Sequence, residues 1–149
     1  MAYQDVIQKH LTQAELDAIN TKMDELWALI NPKVVNLTEQ ENERYGTINE
    51  KNKGFVNKAN DYNNNQPGLN SPDVDWVEYK ADYFDRSAHE SIELRLTGFA
   101  RACNETKRAH DYDNYQNALL DKDYTDYKAK TGGGVLYETK AAEYKQFFT

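Results

Sequence analysis

The sequence predicts an all-α protein, an elongated antiparallel bundle of about five helices around one long central helix, forming a single domain over residues 1–149. Three observations carry that prediction. Apolar residues recur at alternating spacings of three and four, which puts them on one stripe of a helix and fits no strand. Two Thr-x-x-Glu boxes, Thr12–Glu15 and Thr38–Glu41, stand where helices should start, a hydroxyl facing an early amide and a carboxylate reaching back. The breakers gather in a few places, chiefly Asn63-Asn64-Asn65-Gln66-Pro67-Gly68, Asn70-Ser71-Pro72 and Thr131-Gly132-Gly133-Gly134.

After the first box, Leu16, Ile19, Met23, Leu26 and Ile30 share a stripe, and Asn31-Pro32 stops the helix, giving a first helix over 13–30. The second box follows Leu37, a hydrophobic staple, and opens a helix that Gly46 and Gly54 weaken by about 1 kcal/mol each. A short piece and a second piece over 48–63 result, with Phe55, Val56, Ala59 and Tyr62 as its buried face. Ser71 and Pro72 suit a cap and a first helical position. From there Val77, Ala81, Phe84, Ala88, Ile92, Leu96, Phe99, Cys103 and Thr106 define a helix over 73–109, about 55 Å at 1.5 Å per residue, with Gly98 as its expected bend. Asp111-Tyr112-Asp113-Asn114 interrupts the stripe and offers carboxylates to a new helix start, so a fourth helix is expected over 113–129 and a fifth over 135–147. The first two helices are expected against Val77 to Ile92 and the last two against Leu96 to Thr106.

Composition narrows the function classes. With 25 acidic and 18 basic residues the formal charge is -7, which repels phosphate backbones and anionic lipid, so neither nucleic acid nor membrane is an expected partner. Mean hydropathy of -0.95 and the absence of any run near 20 apolar residues exclude a membrane helix. Asp5, Lys9, Glu15 and Asp17 break up the first twenty residues, which argues against a secretory leader and for a cytoplasmic protein. The lone Cys103 cannot close an intramolecular disulfide, so a core of the 39% hydrophobic residues has to hold the fold, with Cys103 a small member of it.

Catalytic motifs fail one after another. Carboxylate-bridged metal sites in bundles need Glu-x-x-His, and the residues three before His10, His89 and His110 are Ile7, Arg86 and Lys107. Asp85, His89 and Glu93 do recur every four residues and place an imidazole between two carboxylates, beside the blander reading of a solvated charge row flanked by Arg86 and Arg95. Cys103 and His110 lie about 10.5 Å apart along a continuous helix, too far for a nucleophile and its base. Asp61-Tyr62-Asn63-Asn64-Asn65 opens like a calcium loop but has Gln66 and Pro72 where glycine and glutamate belong. No Gly-Lys-Ser/Thr follows Gly132-Gly133-Gly134, and no Gly-x-Ser-x-Gly elbow is present. No enzyme activity and no cofactor are therefore expected. Eight tyrosines of the last three helices suit a core or a partner surface, and exposure of several together would favour the surface.

Leu37-Thr38-Glu39-Gln40-Glu41, Phe55-Val56-Asn57-Lys58-Ala59 with Tyr62 and Pro67, Glu105-Thr106, and Ala118-Leu119 with Tyr124 and Lys128 resemble a group of short uncharacterised bacterial all-helical proteins. The resemblance covers residues 12 to 148 and departs at Glu105, where aspartate is usual, and at the triple glycine. It implies an all-helical fold and attaches no activity. The expectation for function is a non-enzymatic helical bundle that binds or scaffolds another protein or self-associates, with Ala88, Ile92 and Phe99 as partner-binding candidates. The alternative is a metal- or small-ligand-binding bundle centred on Asp85, His89 and Glu93.

Overall fold

The computed structural model describes residues 2–148, and among them the chain is all-α. The helices are α1 Gln13–Ile30, α2 Glu39–Tyr45, α3 Glu50–Asn65, α4 Trp76–Lys130 and α5 Val135–Lys145, with short 3₁₀ turns at Asn31–Lys33, Pro67–Leu69 and Gln146–Phe148. Contacts divide the chain into two compact units, one of Leu11–Leu94 and one that joins the residues up to His10 to the chain from Arg95 onward. The division falls inside α4.

Both threonine boxes start helices. The Glu15 amide donates to the Thr12 hydroxyl and the Thr12 amide donates back to Glu15, both at 3.1 Å, closing a reciprocal box. The Thr12 amide first, and then the Thr12 hydroxyl, hold the Glu15 carboxyl below its usual range. At α2 the Glu41 amide donates to Thr38 at 3.1 Å. The two-piece reading of the next stretch holds, with Gly46 at φ 59° ending α2 and Asn49 capping α3 through the Asn52 amide.

The largest departure from the sequence reading is α4. Its 55 residues absorb both the predicted third and fourth helices. The polar stretch 111–114 contains neither proline nor glycine, and Asp or Asn inside a helix costs well under 1 kcal/mol each, too little to break one whose flanks are strongly helical. Gly98 likewise lies within the continuous helix. The fourth helix is therefore a continuation of the third and cannot fold back on Leu96 to Thr106. The start of α4 also moves. Asp75 caps it, accepting from the Val77 and Glu78 amides at 3.1 Å, while Ser71 accepts from the Asp73 amide in the turn before.

In the Leu11–Leu94 unit, two tyrosines from the first turns of α4 reach α3. Tyr79 donates its hydroxyl to the Val56 carbonyl at 2.8 Å and Tyr83 donates to Asn57 at 2.7 Å, one turn further on along α4. In the other unit α5 returns antiparallel along the end of α4 through Thr131–Gly134. Gly132 and Gly134 take positive φ (81° and 107°), and the Gly133 amide donates to the Lys128 carbonyl at 2.8 Å. A Cβ at 133 would stand 2.8 Å from that carbonyl oxygen and 2.9 Å from the Tyr137 ring. The glycine run is thus a hinge whose members do different work.

The expected apolar core does not form. Among the described residues no hydrophobic side chain is buried, and the buried polar ones are Asn63, Asp113 and Thr125. Cys103, read as a core residue, is exposed, as are Phe55, Phe84 and Tyr127. The accessible surface is 13010 Å², whereas a globular monomer of 17.3 kDa exposes about 7,800 Å².

Candidate functional site

Two local sites are built around α4 in the unit that contains Arg95 onward, and both are organised by a carboxylate. The first is a clasp for the N-terminal segment. Asp113 is 4% exposed, and its carboxylate accepts from the Tyr3 hydroxyl at 3.0 Å, the Val6 amide at 2.9 Å and the Ile7 amide at 3.1 Å. Asn117, one turn on, donates to Asp5 at 3.1 Å and to the Asp113 carbonyl at 3.0 Å. The Tyr3 and Tyr112 rings, and the His10 and His110 rings at 5.5 Å between centroids, extend the contact on both sides. Desolvation works to raise the Asp113 pKa, but the bonds from Val6, Ile7 and Tyr3 and the nearby His110 outweigh it and hold the group below the ordinary carboxylate range. Burial, and then the Asp113 carboxylate, push the Tyr3 phenol up to about 12.

The second site is the α4–α5 seam. Asp121 accepts from Lys140 Nζ at 2.8 Å and from the Tyr144 hydroxyl at 2.7 Å, which lowers its pKa and raises those of both partners. Thr125, wholly covered, donates its hydroxyl to the Asp121 carbonyl at 2.7 Å, and Tyr124 meets Tyr137 edge-on at 6.2 Å. Beyond the last turn of α5 a half-open, mainly apolar cavity of about 300 Å³ lies among Tyr115, Ala118, Leu119, Tyr144, Phe147 and Phe148. Lys122 closes its rim, its ammonium 2.7 Å from Asp126 and 5.1 Å from the Phe148 ring centroid.

A second cavity, of about 290 Å³, lies between α3 and α4 among Ile48, Val56, Asn57 and Tyr83, edged by the ion pairs Glu50–Lys53 at 2.9 Å and Arg86–Glu90 at 2.8 Å. Its charged groups are matched within the cavity, so it presents no unpaired charge to a ligand.

The residues singled out from the sequence are spread along α4. Ala88 and Ile92 are half-buried in the Leu11–Leu94 unit, whereas Phe99, in the other unit, is 61% exposed. Asp85, His89 and Glu93 form one exposed row. Among the described residues no group of three or more His, Cys, Asp or Glu side chains comes together as a metal site, and the Asp85 row gains no further acidic group. The four tyrosines Tyr112, Tyr115, Tyr124 and Tyr127 are each more than half exposed on α4. Sequence reading missed the clasp altogether, because a helix-interior aspartate that accepts from a distant main chain leaves no spacing signature. The one hint is Asp113 on a stretch that interrupts the apolar stripe.

Comparison with models of protein families, with curated proteins and with solved structures finds no match to this chain. Among the described residues no helix is long and apolar enough to cross a membrane.

Proposed function

We propose that this chain is a non-enzymatic protein-interaction or scaffolding module whose apolar faces are completed by a protein partner. One observation carries the reading: no hydrophobic side chain is buried among the described residues, although 39% of the chain is hydrophobic. Apolar burial is the main favourable term in folding, and contiguous exposed apolar surface on a soluble chain marks a site of association. The exposed tyrosines of α4 add the residue type that interfaces favour. The acidic charge sets nucleic acid aside as the partner and fits a cytoplasmic location. The alternative of a metal- or small-ligand-binding bundle centred on Asp85, His89 and Glu93 ranks behind it, because no further ligand group joins that row.

The test is hydrogen exchange and binding of a hydrophobic dye on the purified, dilute full chain. Dye binding, with α1 amides unprotected and α5 amides protected, is the expected result. A dilute chain that binds no dye and protects α1 as strongly as α5 would show the apolar faces already covered, and would sink the proposal.

A further inference from the structure

We infer that α1 is a self-association seam, and that the partner it meets is α1 of a second copy of this chain. The inference rests on the interaction reading above and names its surface and its partner. Leu16, Met23 and Ile30 stand seven apart, as do Ile19 and Leu26, and the two sets interleave at spacings of three and four. That is the a/d pattern of a coiled-coil seam. Nothing covers it: Leu16, Ile19, Met23 and Leu26 are 40–54% exposed, and no residue of α1 is buried. Trp27 and Leu29, at the e and g positions beside the seam, widen the same apolar band and are exposed too. An isolated helix of 18 residues is marginal in water, so α1 needs packing from outside itself.

Two arguments make the occupant a second copy. A stripe of this kind is complementary to itself, so a twofold axis lays it on its own image and one helix supplies both halves of the contact. The charges are placed to allow it. Asp17, Asp24 and Glu25 take the outer b and c positions, and the flanking g positions hold one acid and one base, Glu15 and Lys22, so two copies meet without a block of like charge despite the net charge of -7.

Sedimentation equilibrium of the full chain from low to high micromolar concentration tests this. The expected mass is a multiple of 17.3 kDa that falls on dilution, with α1 amides losing exchange protection as it falls while α5 amides keep theirs. Leu26→Ala should weaken association by about 30-fold or more, Ile19→Glu should abolish it, and Asp17→Asn on the outer face should leave it unchanged. Protection of the α3 amides, in the same Leu11–Leu94 unit, reports that each variant keeps its fold. A chain of single mass at high micromolar concentration overturns the inference, as does an oligomer that survives Ile19→Glu. In the monomeric case, a dye-binding chain with unprotected α1 sinks the second copy alone, whereas a chain with protected α1 and no dye binding sinks the interaction reading with it.

Discussion

Helices α1 and α5 invert the usual relation between local signal and docking. α1 has 18 residues, a reciprocal capping box and a continuous apolar stripe, and its stripe is exposed. α5 has 11 residues and no side-chain cap, and Leu136 near its start is 85% exposed, yet α5 is held along α4 by Asp121, Lys140 and Tyr144. A cap and a stripe decide that a helix forms. What it docks on is decided by groups that are distant in sequence, here one carboxylate that accepts from two donors of α5.

The sharpest way to break the contrast is at the hinge that lets α5 return. Gly133→Ala puts a Cβ against the Lys128 carbonyl, a backbone atom that cannot swing aside, so we expect a loss of about 1–3 kcal/mol with release of the Tyr124–Tyr137 contact. Denaturation followed by tyrosine fluorescence measures it, and an unchanged midpoint would mean that the turn yields more easily than its spacing indicates. Next in size, Thr12→Ala removes one half of the box and should cost α1 about 1 kcal/mol. Because α1 has no docking partner within its unit, the loss should show in a dilute chain as fraying in the far-ultraviolet spectrum.

Acid sharpens the comparison from the other side. The Asp113 pKa is depressed in the folded chain, so its contribution is complete above the ordinary carboxylate value of 3.8 and is lost as pH falls through the lower folded value. Hydrogen exchange should find the Val6 and Ile7 amides protected above pH 4 and released at lower pH, and Asp113→Asn should leave them weakly protected at every pH. The smallest effect expected is Leu16→Ala in the monomeric chain. Truncating a buried leucine costs about 2–5 kcal/mol, whereas exposed positions stay within about 0.5 kcal/mol, and Leu16 is already 40% exposed. A loss of several kcal/mol at concentrations too low for association would show that the stripe packs within its own chain.

The helices were legible wherever the signal is local. Thr12, Thr38, Gly46 and the triple glycine mark their boundaries through hydrogen bonds or φ angles that involve residues five or fewer apart. Reading failed at Asp111-Tyr112-Asp113-Asn114, because an aspartate that suits a helix start equally suits a helix interior when a distant segment needs its oxygens. The candidate site was less legible still. Ala88, Ile92 and Phe99 came from a stripe assumed to be covered, and periodicity specifies which residues share a face without saying whether anything meets it. The tyrosines were read more usefully, since their exposure was named beforehand as the sign of a surface rather than a core.

The clasp on Asp113 has a consequence for how the N-terminal segment can vary. Two of the three donors to Asp113 are main-chain amides, from Val6 and Ile7, 107 and 106 positions away. The Val6 side chain itself is exposed. An amide is the same on every residue except proline. These two bonds therefore survive a change of position 6 or 7 to any of the eighteen other residues that keep an amide N–H, while position 113 is bound to a short carboxylate. Much of the placing of the beginning of the chain is thus carried by one residue more than a hundred positions away.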